Sequence, residues 1–255
     1  MSLLQYGIFH GQSGFVHGVS NASYGNTAVA LATNPEEAAA AKCGLHRFWS
    51  DIGVDPDAVI LPRPVHGTSV IEGKDWPFSG RPEADIVVSD VPGLAASINS
   101  ADCAVGIVKH LLRPVFCVFH AGMEGASLGV PAIAISYMHD RYGCNPEDLL
   151  VALSPMISVN SYVYDRHPAE KLHENEGWGP FIHALSSGDF AIDLPGFVKR
   201  QLLEAGIPEG QIEDPGIDTY SCPDYFSNSR TAEQRRLHPN AAIPSQRFNT
   251  SAGLR

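Results

Sequence analysis

The sequence predicts one domain of mixed α and β structure. Its 255 residues, 44% hydrophobic and 18% charged, are enough for one sizeable hydrophobic core. Short β-branched runs fill the stretch 57–120, and segments with helical caps lie on either side of it. No repeat or linker divides the chain, so a single domain over residues 1–255 is the simplest interpretation.

The first half predicts one helix followed by strands. Asn34 suits an N-cap, Pro35 the first helical position, and Glu37 the capping-box position, while Gly53 is a suitable stop. The strand-like runs that follow are separated by Pro, Gly and Asp. They are AVIL, TSVIEG, ADIVVS, LAASI, AVGIVK and PVFCVF.

The second half predicts two more helices and a strand. A helix is expected over about 130–142, with Pro131 near its start and Gly143 just past its end. The run LLVALSP is typical of a buried strand, and LPGFVKRQLLEAG of an amphipathic helix that ends at Gly206. From Pro223 onward the apolar periodicity is lost, so residues 231–255 are expected to form an irregular C-terminal tail.

Composition restricts the class of partner. A formal net charge of -11 argues against nucleic acid and anionic membranes, and no apolar window reaches bilayer-spanning length. The N-terminal segment lacks the basic region of a signal peptide. Five cysteines without a C-x-x-C pair favour a reducing cytoplasm. A small polar or nucleoside-like ligand is the partner class left open.

Three motifs place polar side chains where a predicted strand meets a turn. They are PVHGTSV with His66, SADCAVG with Cys103, and CVFHAGMEG with His120. Two imidazoles and one thiolate form a borderline-soft ligand set that suits Zn²⁺, and three protein ligands leave the open position of a catalytic zinc site. Their separations match no short zinc-finger motif, so the spacing alone also allows two core histidines and a buried thiol.

The same atoms allow a second chemistry. Cys103 would act as a nucleophile if His120 or His66 activated it, as in Cys/His hydrolases. Gly122, beside His120, lets the backbone approach a ligand closely. Asp102 either accepts a hydrogen bond from a ring N–H or backbone amide beside the site, or forms a turn at the strand end.

Together the motifs resemble the laccase-domain family, whose members are also called multi-copper polyphenol oxidases or YfiH/YlmD-like purine nucleoside phosphorylases. The similarity covers about residues 14–230. The motifs that carry it, in order, are FVHGVS, PVHGTSV, EADIVVS, NSADC, FHAGMEG and CPDYFSNSR.

The resemblance implies a single α+β domain with a β-sandwich-like core of mixed sheets flanked by helices. It implies Zn²⁺ bound by His66, Cys103 and His120, and phosphorolysis of adenosine, inosine and related nucleosides, with adenosine deamination as well. On this basis Asp102, Cys103 and His120 are the expected catalytic residues, and Lys42, Gly122 and Arg230 the expected substrate-binding residues.

The chain departs from the family pattern where positive charge is usual. Glu124 reverses a charge beside the expected metal, and Lys42 is a point charge that cannot replace an arginine fork. Arg230 and Arg247 remain as candidates for binding phosphate. The departures are Ala22 for Arg, Ala41-Lys42 for Asn-Arg, Pro64 for Gln and Met123-Glu124 for Trp-Arg.

Several functions therefore compete. A divergent nucleoside hydrolase or deaminase would need no anion site, and an inactive homologue would bind metal or nucleoside without turnover. Copper-dependent phenol oxidation ranks lowest: a type 1 copper and a trinuclear cluster require about ten histidines, mostly in H-x-H pairs. This chain has 11 His and no H-x-H.

Overall fold

The computed structural model describes residues 3–168 and 176–255. The α-helices in these ranges are α1 (Pro35–Asp51), α2 (Met123–Ser127), α3 (Val130–Tyr142), α4 (Leu194–Glu204) and α5 (Asn228–Leu237). The strands are β1 (Phe15–Val19), β2 (Val59–Ile60), β3 (Val70–Glu72), β4 (Ile86–Ser89), β5 (Ala95–Ser100), β6 (Ala104–His110), β7 (Phe116–Ala121), β8 (Leu149–Leu153), β9 (Val163–Tyr164), β10 (Ile182–Ala184), β11 (Phe190–Ile192), β12 (Ile212–Glu213) and β13 (Phe248–Leu254). No helix in the described ranges is both long and apolar enough to cross a membrane.

Two mixed sheets form the centre of the fold. One has four strands in the order β1-β13-β5-β2, and the other has six in the order β12-β8-β6-β7-β4-β3. A third, three-stranded sheet has the order β10-β11-β9. Both large sheets combine antiparallel pairs with a parallel strand at an edge. The predicted α+β class is therefore confirmed.

Side chains alternate between the two faces of each strand, and this alternation explains how the layers pack. In β4, Val87 lies in the core between the two large sheets, together with Ile98 of β5 and Phe248 of β13. Ile86 and Val88 face the other way, into a core closed by α3 and α4. The helix α1 covers the outer face of the four-stranded sheet through residues such as Phe48 and Trp49. The order of layers is helix, sheet, sheet, helix, which agrees with the expected sandwich.

The helix boundaries follow the caps that the sequence predicts. The Asn34 side chain accepts a hydrogen bond from the Glu37 N–H at 2.9 Å, and Pro35 begins α1. Glu37 in turn accepts from the Thr33 N–H at 2.9 Å, one residue before the standard capping-box partner. α3 ends at the left-handed Gly143, with φ 62°.

The expectation of an irregular tail over residues 231–255 is wrong. α5 continues to Leu237, and β13 lies between β1 and β5, buried along its whole length. Its sequence, FNTSAGL, is too polar to predict a central strand. The polar groups are accommodated by pairing, because the Ser97 hydroxyl donates to Asn249 at 3.1 Å and accepts from Ser251 at 2.7 Å.

Candidate metal centre

The three predicted ligands meet at one end of the six-stranded sheet. Cys103 precedes β6 and His120 is the penultimate residue of β7, and these strands are neighbours, with Ala104 opposite Ala121. His66 lies in the loop before β3. The donor atoms of His66, Cys103 and His120 all lie within 4.8 Å of one another. The fold therefore brings together residues that are far apart in the sequence.

Asp85, just before β4, organises this cluster. It is fully buried, and its Oδ1 lies 2.9 Å from Nδ1 of His120. The same carboxylate accepts backbone N–H groups from Val65 at 3.1 Å, His66 at 3.1 Å and Gly67 at 2.8 Å. One side chain thus fixes both the ring of His120 and the loop that carries His66.

The ionisable groups of the cluster shift one another's pKa values. Burial opposes ionisation of Asp85, but hydrogen bonds from His120 and the backbone keep its pKa below the usual value. The carboxylate is ionised and accepts only, so Nδ1 of His120 is the donor and Nε2 is left as the ligand atom. Burial lowers the pKa of His120, but Cys103 and Asp85 together raise it to about 9, so a metal bound at Nε2 would have to displace a proton from that atom. Burial and the neighbouring His120 lower the pKa of His66.

The backbone is strained on both sides of the cluster. His66 has φ 59° and Asp102 has φ 85°, and no other non-glycine residue in the described ranges has a positive φ. Such conformations persist where surrounding contacts enforce them, and they concentrate at functional sites. Asp102 is held by the Thr219 hydroxyl at 2.7 Å and the Ser229 N–H at 2.7 Å.

Asp102 therefore takes only one of the two hydrogen-bonding roles predicted for it. It bonds a backbone amide at the start of α5, as one of the alternatives anticipated, whereas the imidazole is supported by Asp85. Asp85 was not among the residues predicted from the sequence, although the motif EADIVVS contains it. The signal available was an acidic residue immediately before a buried strand, the same pattern that drew attention to Asp102 and Cys103.

Gly122 leaves room for the ligand atoms. A Cβ at this position would lie 2.7 Å from Sγ of Cys103 and 3.3 Å from Nδ1 of His66. The first distance is shorter than real Cβ atoms tolerate, so only glycine allows the thiol and the imidazole to converge. The donor set, its spacing and this opening fit one borderline-soft metal ion.

Two cavities meet at the cluster, and His66 and Cys103 line both. The first, of about 360 Å³, is also lined by Arg63, Arg81 and Arg247, and we call it the arginine cavity. The second, of about 340 Å³, is called the tyrosine cavity. Its other lining residues include Asp102, Gly122, Met123, Glu124, Tyr162 and Tyr164.

The arginine cavity concentrates positive charge beside the cluster. Arg247 is half-buried, and burial lowers its pKa while Cys103 and Asp102 act in the opposite direction. Burial and the nearby Arg63 lower the pKa of Arg81. Arg63 pairs with Glu83, so the cavity carries three guanidinium groups against one adjacent carboxylate partner.

Two predicted substrate-binding residues lie elsewhere. Lys42 is exposed on α1 and lines neither cavity. Arg230 also lines neither cavity, because its guanidinium donates to the backbone carbonyls of Thr219 at 2.9 Å, Tyr220 at 2.8 Å and Cys222 at 3.1 Å, and to that of Tyr225. Arg230 thus fixes the segment before α5. Arg63 and Arg81, which line the arginine cavity, lie outside the motifs that were recognised in the sequence.

The two-sheet sandwich, with a His–Cys–His cluster at one end of a sheet, places this chain in a class of α+β proteins that have a candidate metal site. The family model described as multi-copper polyphenol oxidoreductase laccase matches residues 9–237, and the chain belongs to this family. The resemblance drawn from the motifs is thereby confirmed.

Sequence relatives carry one recurring name. Purine nucleoside phosphorylase ORF3 of Streptomyces griseus is 28% identical over 223 residues, which cover 86% of this chain and 88% of that protein. A purine nucleoside phosphorylase of Bacteroides thetaiotaomicron is 25% identical over 185 residues, covering 69% of this chain and 68% of the other.

Solved structures share the fold. YlmD from Geobacillus stearothermophilus superposes with a TM-score of 0.82 at 19% identity, covering 100% of this chain and 97% of its own. The Bacillus licheniformis hypothetical protein YfiH gives a TM-score of 0.79 at 19% identity, covering 94% of this chain and 93% of its own. At these identities the likeness establishes the fold alone.

Proposed function

We propose that this chain is a zinc-dependent purine nucleoside phosphorylase acting on adenosine- and inosine-type nucleosides. The observation that carries the proposal is the position of His66, Cys103 and His120 where a cavity rich in arginine meets one lined by tyrosines. Phosphorolysis brings a phosphate anion and an aromatic nucleoside together at one atom. This arrangement offers a binding cavity for each of them on a separate side of the cluster.

Phosphate is assigned to the arginine cavity. Guanidinium groups bind phosphate through paired, charge-assisted N–H bonds. Arg247 donates from Nη1 to the Gln246 carbonyl at 2.9 Å, and its Nη2 lies 3.5 Å from Oδ1 of Asn228. The second contact is long enough to yield to a phosphate oxygen. Arginines at other positions thus replace those that the family pattern would have at Ala22, Lys42 and Glu124.

The nucleoside is assigned to the tyrosine cavity. Tyr162 and Tyr164 have ring centroids 5.3 Å apart at an angle of 60°, which offers aromatic surface for a purine. Asn228 lines both cavities, so its amide can contact the ribose between base and phosphate. An orientation of this kind puts C1′ at the junction, near the metal cluster.

The reaction follows from this orientation. A phosphate oxygen forms a bond to C1′, the glycosidic C–N bond breaks, and its electron pair leaves with the base, which takes up a proton. The arginines hold the nucleophile in line with that bond, and positioning of this kind is a large part of the catalysis of bimolecular reactions. The products are the free base and ribose 1-phosphate.

His66, Cys103 and His120 would hold the zinc ion, and Asp85 would keep His120 in the ligating tautomer. Bound there, zinc supplies Lewis-acid polarisation of an oxygen atom. Cys103 is then a ligand rather than a nucleophile. Copper is the less suitable ion, because 11 His without an H-x-H pair do not match a multicopper oxidase. The five cysteines, all unpaired, fit the cytoplasm that we propose as the location.

Incubation with adenosine or inosine, with and without phosphate, tests the proposal. We expect free base and ribose 1-phosphate that depend on both phosphate and zinc. Equal base release without phosphate would indicate a hydrolase, and inosine formed from adenosine a deaminase. Zinc and nucleoside binding without turnover would indicate an inactive homologue, and phenol oxidation with stoichiometric copper an oxidase.

A further inference from the structure

The tyrosine cavity contains one carboxylate that its surroundings do not neutralise. Glu124, the second residue of α2, is half-buried and lines this cavity. Within residues 3–168 and 176–255, its carboxylate has no hydrogen-bond or ion-pair partner. The nearby Asp102 is different, because its two oxygens already accept from Thr219 and Ser229. Glu124 is therefore the acceptor available to a bound molecule.

The remaining walls suit a flat ring that offers donors to this acceptor. Met123 and the two tyrosine rings supply apolar and aromatic surface. The Tyr164 hydroxyl donates to that of Tyr162 at 3.2 Å, which leaves the Tyr162 O–H to donate in turn. Burial raises the pKa of Tyr162 well above its usual value, so it stays protonated. An anion is disfavoured beside Glu124, whereas a neutral ring with N–H groups is favoured.

We propose that Glu124 binds the Watson–Crick edge of the purine and makes this chain prefer guanosine over inosine, and inosine over adenosine. The inference rests on the proposed function, since it assigns the base to the tyrosine cavity. A carboxylate is an acceptor only. Guanine offers it two adjacent donors, N1–H and the 2-amino group, and hypoxanthine offers one.

Adenine is the poorest match. Its N1 is an acceptor that faces the carboxylate without an intervening proton, so only the 6-amino group donates. A site built to accept a substrate N–H strongly rejects an analogue that lacks it. The expected ratio of kcat/KM for guanosine to that for adenosine is about tenfold or more.

The substitution Glu124→Gln tests the assignment while keeping the size of the side chain. An amide can accept from the 6-amino group of adenine and donate to its N1, but it can accept only one of the two guanine donors. We expect the guanosine-to-adenosine ratio to fall about tenfold or more in this variant. Glu36→Gln, on the exposed first turn of α1, is the matched control and leaves the ratio unchanged. Equal zinc content and thermal unfolding of the three proteins exclude an indirect effect.

A binding measurement separates this inference from the proposed function. Calorimetric titration without phosphate, using guanosine, 1-methylguanosine and adenosine, reports recognition of the base alone. The inference is supported if guanosine binds preferentially and if both 1-methylation of the base and Glu124→Gln remove that preference. This holds even if no nucleoside is turned over and the phosphorylase proposal fails. Turnover with a ratio unchanged by Glu124→Gln overturns the inference and leaves the phosphorylase intact. Absence of both binding and turnover overturns both.

Discussion

Nδ1 of His120 and Oδ1 of Asp85 lie 2.9 Å apart, and both side chains are almost completely buried. The contact joins a residue at the end of β7 to one just before β4, and these strands are paired, with Ile86 opposite Phe119. Because Asp85 also accepts three backbone N–H groups of the His66 loop, one carboxylate positions two of the three residues of the candidate metal centre. The geometry of the site thus depends on a residue outside the His–Cys–His cluster.

Asp85→Asn is expected to weaken zinc binding by about 10- to 100-fold, the usual effect of losing a partner of a ligating histidine. The amide carries no charge, and its NH₂ cannot accept from the loop N–H groups. Competition with a chromogenic chelator measures the affinity. Asp102→Asn is the comparison, since Asp102 does not contact either imidazole. A larger loss of zinc in Asp102→Asn than in Asp85→Asn would contradict this assignment.

Zinc removal is expected to expose Cys103 to alkylation. A metal-bound thiolate is shielded, whereas the free thiolate is the reactive species. Peptide mapping after iodoacetamide treatment, with and without prior chelation, gives the labelled fraction. The exposed Cys43 on α1 is an internal reference that reacts equally in both samples. Equal labelling of Cys103 in the two samples would instead favour a nucleophilic cysteine over a ligand.

Arg247→Ala is expected to raise the KM for phosphate by about 10- to 100-fold, because a charge-assisted hydrogen bond contributes about 1.5–3 kcal/mol. Arg247→Lys keeps the charge but not the fork, and its KM should lie between the two. Inosine phosphorolysis at varied phosphate measures the effect. Lys42→Ala is the control, since Lys42 lines neither cavity. If Lys42→Ala raised the KM as much as Arg247→Ala, the phosphate site would lie elsewhere.

Local patterns in the sequence predicted much of the fold because their causes are local. The cap at Asn34 and the stop at Gly143 depend on residues within one helical turn. The buried strands around Cys103 and His120 depend on runs of apolar residues. The candidate triad of His66, Cys103 and His120 was predicted because each residue lies where a strand meets a turn and because the motifs around them resemble one family.

What the sequence missed depends on distant pairing. β13 is central although FNTSAGL is polar, since Ser97 and Asn249, from different strands, satisfy each other. Asp85 acts through loops that only the sheet brings near it. The arginine cavity adds Arg63 and Arg81 to the expected Arg247, and these two come from parts of the chain distant from Arg247, so no local motif could reveal their convergence.

A buried histidine away from the site predicts how stability varies with pH. His17 on β1 is 7% exposed, and its Nε2 accepts the Tyr6 N–H at 2.9 Å. Burial lowers its pKa to about 4, against about 6.5 in the unfolded chain. Between these values the unfolded state binds the proton more tightly, so stability is full above about pH 6.5 and is lost as the pH falls towards 4.

The loss from His17 amounts to about 3 kcal/mol across that window. His17→Gln keeps an acceptor for Tyr6 and cannot titrate, so its free energy of unfolding should depend less steeply on pH than that of the native chain. His183→Gln, at an exposed position on β10, serves as the control and keeps the native slope. Urea unfolding at intervals from pH 4.5 to 8 measures all three. Burial also lowers the pKa of His110, so a residual slope in His17→Gln is expected, whereas an undiminished one would mean that His17 is protonated in the fold.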